Sequence, residues 1–112
     1  MDEAERFTNQ LSQNSLITKT KAEIKKHSAF IDITKKEVLL MDSFHHLAKD
    51  KHPNIAYRNP EEVLNLIIKN KETIPEDCDP QLKLMFSQIE LDSQLLEIAK
   101  DELKTLTNNK EG

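Results

Sequence analysis

The chain has 112 residues, 32% of them charged, with one cysteine, one glycine, four phenylalanines, one tyrosine and no tryptophan. A chain of this length makes one domain that buries roughly 65% of its unfolded surface. A single glycine leaves almost no positions for the positive-φ turns of β-hairpins, and a lone cysteine excludes an internal disulfide.

With Lys, Glu, Leu and Gln abundant, these bounds predict an all-α chain. No run of about 18 apolar residues occurs, so no membrane span is encoded. The opening "MDEAERFTNQ" is acidic and polar, unlike a secretory signal or a transit peptide, and the expectation is a cytoplasmic or nuclear protein. The net charge of −4 hides an asymmetry. Residues 1–58 carry ten Lys or Arg against eight Asp or Glu, and residues 59–112 carry six against twelve. Halves of about +2 and −6 suit an antiparallel hairpin and do not favour general nucleic-acid binding.

In the first half, Ile17, Ile24, Ile31 and Val38 recur every seven residues, and the next position in the series is His45. A second apolar line, Phe30, Ile33, Leu40, Phe44 and Leu47, starts midway. Phe7 and Leu11 form an i, i+4 pair in a stretch otherwise too polar to require a core position. The spacing predicts one long helix or two over residues of about 5–50. Thr34 and Glu37 make a capping box, with Ile33 and Val38 as its staple, which favours a restart near Thr34. The absence of any Gly or Pro, and a stripe that stays in phase, favour one helix kinked near residues 28–32.

All four prolines, Pro53, Pro60, Pro75 and Pro80, lie in the middle of the chain. Asn59 as a cap, Pro60 in the first turn and Glu61 and Glu62 at the positive helix end predict a short helix over about 60–69. Asp79 and Pro80 repeat the signature and predict a long helix over about 80–107, followed by a disordered tail at 108–112. The expected architecture is one domain over 1–112: a small antiparallel helical bundle, or a long helical hairpin with one short helix between the long ones.

The last helix carries two apolar series. Leu82, Ile89, Leu96 and Leu103 recur every seven residues, with Met85, Ala99 and Leu106 beside them and Asp92 as a polar exception. Leu84, Leu91 and Ile98 form the second, with Leu95 alongside. At 100° per residue the two series point about 150° apart, so the apolar arc spans about 200°. A one-sided surface helix needs only ~100°. Such a helix calls for more than one neighbour, and Val63 to Ile68 covers part of the surplus.

Three of the four histidines sit in "MDSFHHLAKDKHPNIAY". His45 and His46 diverge by about 100° on a helix and cannot readily share a metal ion. Asp42, His46 and Asp50, four apart on one face, are the best metal set, but the same spacing is an ordinary surface pattern without an HExxH or CxxC beside it. These histidines are read as marking a helix end. Cys78 is flanked by Glu76, Asp77 and Asp79, which disfavour a thiolate, so it is read as a spectator. The six lysines of "TKTKAEIKKHSAFIDITKK" have neither arginine nor interleaved aromatics for base stacking. No nucleophile–base pair and no glycine-rich phosphate loop occur, so no catalytic, cofactor or metal residue is assigned and no small-molecule substrate is evident.

The heptads remain. They predict a non-enzymatic protein–protein interaction module, a small subunit or adaptor of an assembly, that binds another protein or itself by coiled-coil-like helix packing. Leu84, Leu91, Leu95 and Ile98 are the partner-binding candidates. The alternative is a self-contained acidic bundle acting as an inhibitor or immunity-type binding protein.

Overall fold

The computed structural model describes the backbone of residues 3–111 and the side chains of residues 12–108. It is all-α, with no strand among the described residues: α1 (Glu3–Leu39), α2 (Asp42–Lys51), α3 (Pro53–Arg58), α4 (Pro60–Asn70) and α5 (Pro80–Glu111). The side chains of Phe7 and Leu11 lie outside the described residues, as does Gly112. These residues group into two compact units, Met1–Ala29 with Ser93–Gly112, and Phe30–Asp92. Helices α1 and α5 each contribute a stretch to both.

Three boundaries differ from the sequence expectation. Helix α1 passes unbroken through residues 28–34, so the Thr34–Glu37 box does not start a helix. The Thr34 hydroxyl instead donates to the Phe30 carbonyl, 2.9 Å away, as a mid-helix threonine does. The break comes later, at Leu40 and Met41, where no Gly or Pro stands. There the amides of Leu40 and Met41 tighten onto the carbonyls of Glu37 and Val38, and Met41 turns extended. His45 Nε2 donates to the Leu39 carbonyl at 2.7 Å, and the amides of Phe44 and His45 bond back to the Met41 carbonyl. Helix ends leave such groups unpaired unless a side chain or a tighter turn serves them. Second, residues 53–58 form the short helix α3, begun by Pro53 in its first turn. Third, α5 continues to Glu111 rather than ending near Thr107, so residues 108–111 are helical where a disordered tail was expected.

The Phe30–Asp92 unit holds the apolar core. Helices α2, α3 and α4 pack on one another. Val38, Phe44, Leu47, Val63, Leu64, Ile67, Leu82 and Ile89 are buried. The Phe44 ring meets Phe86 of α5 with centroids 6.4 Å apart and packs edge-on against His45. The break after Leu39 re-aims the second apolar line of the first half: Phe44 and Leu47 go inward, while Phe30, Ile33 and Leu40 are exposed.

Around that core the caps are polar. The Asn59 side chain accepts from the Glu61 amide at 3.2 Å and opens α4, as its sequence predicts. Helix α4 ends with Lys71 in the left-handed region, φ 49° and ψ 47°. The Lys71 and Glu72 amides bond to the carbonyls of Ile68 and Ile67 there, the Schellman arrangement. Glu72 then receives His52 Nε2 at 2.9 Å, with Lys51 Nζ 3.8 Å away, which ties the end of α2 to the turn after α4.

Among its described side chains the other unit is leaner. Gln13 Nε2 donates to the Leu106 carbonyl at 2.9 Å, and Leu16, Lys19, Thr20, Glu23, Ala99 and Glu102 line one shallow groove. The unit's buried side chains include two polar ones, Thr20 and His27, beside Ile17 and Ala99. The Thr20 hydroxyl is satisfied by the Leu16 carbonyl at 2.8 Å, and His27 lies 3.8 Å from Glu23.

Candidate protein-binding face of helix α5

Helix α5 is set in place by Asp79. One carboxylate oxygen accepts from the Gln81 amide at 3.0 Å, capping the helix, and the other accepts from the Ser43 hydroxyl of α2, also at 3.0 Å. The cap follows from local chemistry, since an Asp before a Pro-led helix satisfies an otherwise orphaned amide. The second bond holds the start of α5 against α2. Lys83 Nζ reaches the Glu76 carbonyl and further ties the turn to the helix.

From that anchor the two apolar series part. Leu82 and Ile89 are buried at 0% and 1% exposure, and Ala99 lies at 6%. Met85, Phe86, Leu96 and Leu103 are half-buried. Asp92, the polar exception on this side, is buried too, and the Gln88 amide donates to its carboxylate at 3.1 Å. The second series faces out: Leu84 is 70% exposed, Leu91 49%, Leu95 37% and Ile98 62%. Leu84 and Leu91 belong to the Phe30–Asp92 unit, Leu95 and Ile98 to the other. All four stand on one continuous helix, so their common face follows from helical geometry alone.

The other sites weighed from the sequence do not assemble. Asp42, His46 and Asp50 are exposed, and no group of three or more His, Cys, Asp or Glu among the described residues is placed to hold a metal ion. His45 and His52 are engaged with the Leu39 carbonyl and the Glu72 carboxylate. The sequence signal for the first was present, because the isoleucine stripe runs on to position 45. Cys78 is a half-buried free thiol in the turn before α5. Among the described residues no helix is long and apolar enough to cross a membrane.

One apolar group was not singled out from the sequence as a surface. Ile33 and Leu40 are 53% and 85% exposed near the end of α1, with Phe30 nearby. Phe30 and Ile33 stand about 100° and 160° round α1 from buried Ile31, so helix phase turns them outward, while Leu40 lies at the break, which no composition signal announces.

No family model matches this chain, and comparison with curated proteins and with solved structures returns no match.

Proposed function

We propose that this chain is a non-enzymatic helical interaction module, a small subunit or adaptor of a protein assembly, whose binding surface is the outer face of α5. The observation that carries this reading is the exposure of Leu84, Leu91, Leu95 and Ile98 on the helix whose Leu82–Ile89 line is buried. Fully burying such a side chain contributes about 1.5–3 kcal/mol, and these four, 37% to 70% exposed, forgo roughly half of that, a stabilisation that a partner helix recovers. Contiguous exposed apolar surface of this kind is characteristic of contact sites. In the same reading the two long helices run antiparallel as parts of a small bundle, which the Gln13–Leu106 bond supports locally. The chain acts in the cytoplasm or nucleus.

The test is affinity capture from the native source with wild-type, Leu91→Asp and Ile89→Asp baits, each first characterised by thermal melting. Leu91→Asp should melt like the wild type yet lose the captured proteins, because the charge sits on the contact face. Ile89→Asp should fail to fold. An identical captured set with the wild-type and Leu91→Asp baits rejects the reading. If Leu91→Asp unfolds the chain instead, the outer face is structural, and a self-contained binding protein using another surface is the better description.

A further inference from the structure

The residues that border the α5 stripe say what it meets. Between positions 81 and 98, every residue within about 75° of the stripe's centre is uncharged. These are the apolar four together with Gln81, Ser87, Gln88 and Gln94, all exposed. The charges in this stretch, Lys83, Glu90, Asp92 and Glu97, lie farther round the helix. In a chain that is 32% charged this is an unusual gap, about 26 Å long at 1.5 Å per residue. The first charge on the face, Glu102, ends it.

Resting on the reading that α5 presents a binding face, we propose that its partner is α5 of a second copy of this chain, laid antiparallel across a two-fold axis near Leu91. A two-fold contact sets a patch against itself, so any charge on the patch risks meeting its own like. A face that selects a foreign partner commonly uses charge to do so; between Gln81 and Ile98 this one has none. Glutamine and serine suit self-pairing because each both donates and accepts hydrogen bonds, which a carboxylate or an ammonium cannot do.

Glu102 sets the direction. In a parallel pair it stands at the centre of the face opposite the other copy's Glu102. In the antiparallel pair centred on Leu91, Leu84 lies opposite Ile98, Ser87 opposite Gln94, and the two Glu102 carboxylates sit at opposite ends. A contact of about four helical turns is small beside the roughly 1,200–2,000 Å² of stable interfaces, so the dimer is weak and reversible.

Sedimentation of the purified full chain from about 10 µM to about 1 mM tests this, the range in which a small interface of this kind is populated. The wild type should shift from monomer to dimer, and Leu91→Asp should remain monomeric with an unchanged melting temperature. The direction is read by oxidative cross-linking in a Cys78→Ser background. A mixture of Leu84→Cys and Ile98→Cys chains should give the crossed disulfide dimer several-fold faster than either chain alone. This second measurement adds no charge to the helix, so it decides the matter even if Leu91→Asp unfolds. Faster self-cross-linking of Leu84→Cys overturns the antiparallel pairing. A wild type that stays monomeric throughout the range, without crossed disulfides, overturns the second copy as partner. Loss of captured proteins in Leu91→Asp would then still uphold the binding face itself.

Discussion

Asp79 joins two elements through one carboxylate, and removing it should show both roles. Its Oδ1 caps α5 at the Gln81 amide, and its Oδ2 holds the Ser43 hydroxyl of α2. Loss of an N-cap side chain costs about 0.5–2 kcal/mol, typically about 1. A hydrogen bond to a charged acceptor contributes ~1.5–3 kcal/mol where water is excluded; this part-buried bond is partly solvated, and we take about 1 kcal/mol for it. Asp79→Ala should therefore destabilise the chain by about 2 kcal/mol, and Ser43→Ala, which leaves the cap intact, by about 1. In urea, with a slope of about 2 kcal/mol per molar, Asp79→Ala lowers the midpoint by about 1 M. The double variant is diagnostic, because once Asp79 is gone Ser43→Ala has no bond left to break. Its additional cost should be close to zero, a coupling of about 1 kcal/mol between residues in direct contact. Additive losses with no coupling would refute the bridge, and an Asp79→Ala loss below about 0.5 kcal/mol would refute the cap.

Phe44→Ala should cost about 3–5 kcal/mol, because the ring is fully buried and packs on Phe86; a calorimetric or urea midpoint close to wild type would contradict the core assignment. Lys71→Gly should raise stability by about 0.5–1 kcal/mol, since the left-handed conformation penalises a side chain by more than glycine loses in unfolded-state entropy. A lower thermal midpoint in that variant would argue against the Schellman end of α4. His46→Ala should leave the melting temperature and partner capture unchanged, as befits an exposed position; stoichiometric metal in the purified protein that disappears in this variant would reverse that assignment.

Those sites differ in how much of each was legible beforehand. Local chemistry announced the helix starts at Pro60 and Pro80, because a capping side chain and a first-turn proline need no knowledge of the rest of the chain. Periodicity separated the two apolar faces of α5, yet it could not say which of them goes inward. Burial of Leu82 and Ile89 decided that, and it depends on what packs against them. The break after Leu39 was hidden for a different reason. No residue at Leu40 or Met41 disfavours a helix strongly, and the bonds that replace the lost helical ones come from His45 and Met41 themselves. Burial of Phe44 and Leu47 accompanies the turn. Tertiary packing outweighed local propensity there. Helix α3 shows no period in the sequence because six residues are too few for one, and Pro53 is its sole local signal.

The uneven distribution of apolar burial between the two units carries a consequence for how the chain opens. Ile17, Thr20, His27 and Ala99 are the buried residues described in the unit with the helix ends, whereas Phe44, Leu64, Ile67 and Leu82 close the other. Opening α1 and α5 around Ile17 and Ala99 exposes little hydrocarbon among the described side chains, while opening at Val38 or Ile89 exposes the main core. Protection against hydrogen exchange should therefore be graded within single helices, low around Ile17 and high around Val38, although both amides belong to α1. Proteases would meet the same gradient, cutting near Ile17 and Ala99 while the stretch from α2 to the start of α5 stays intact.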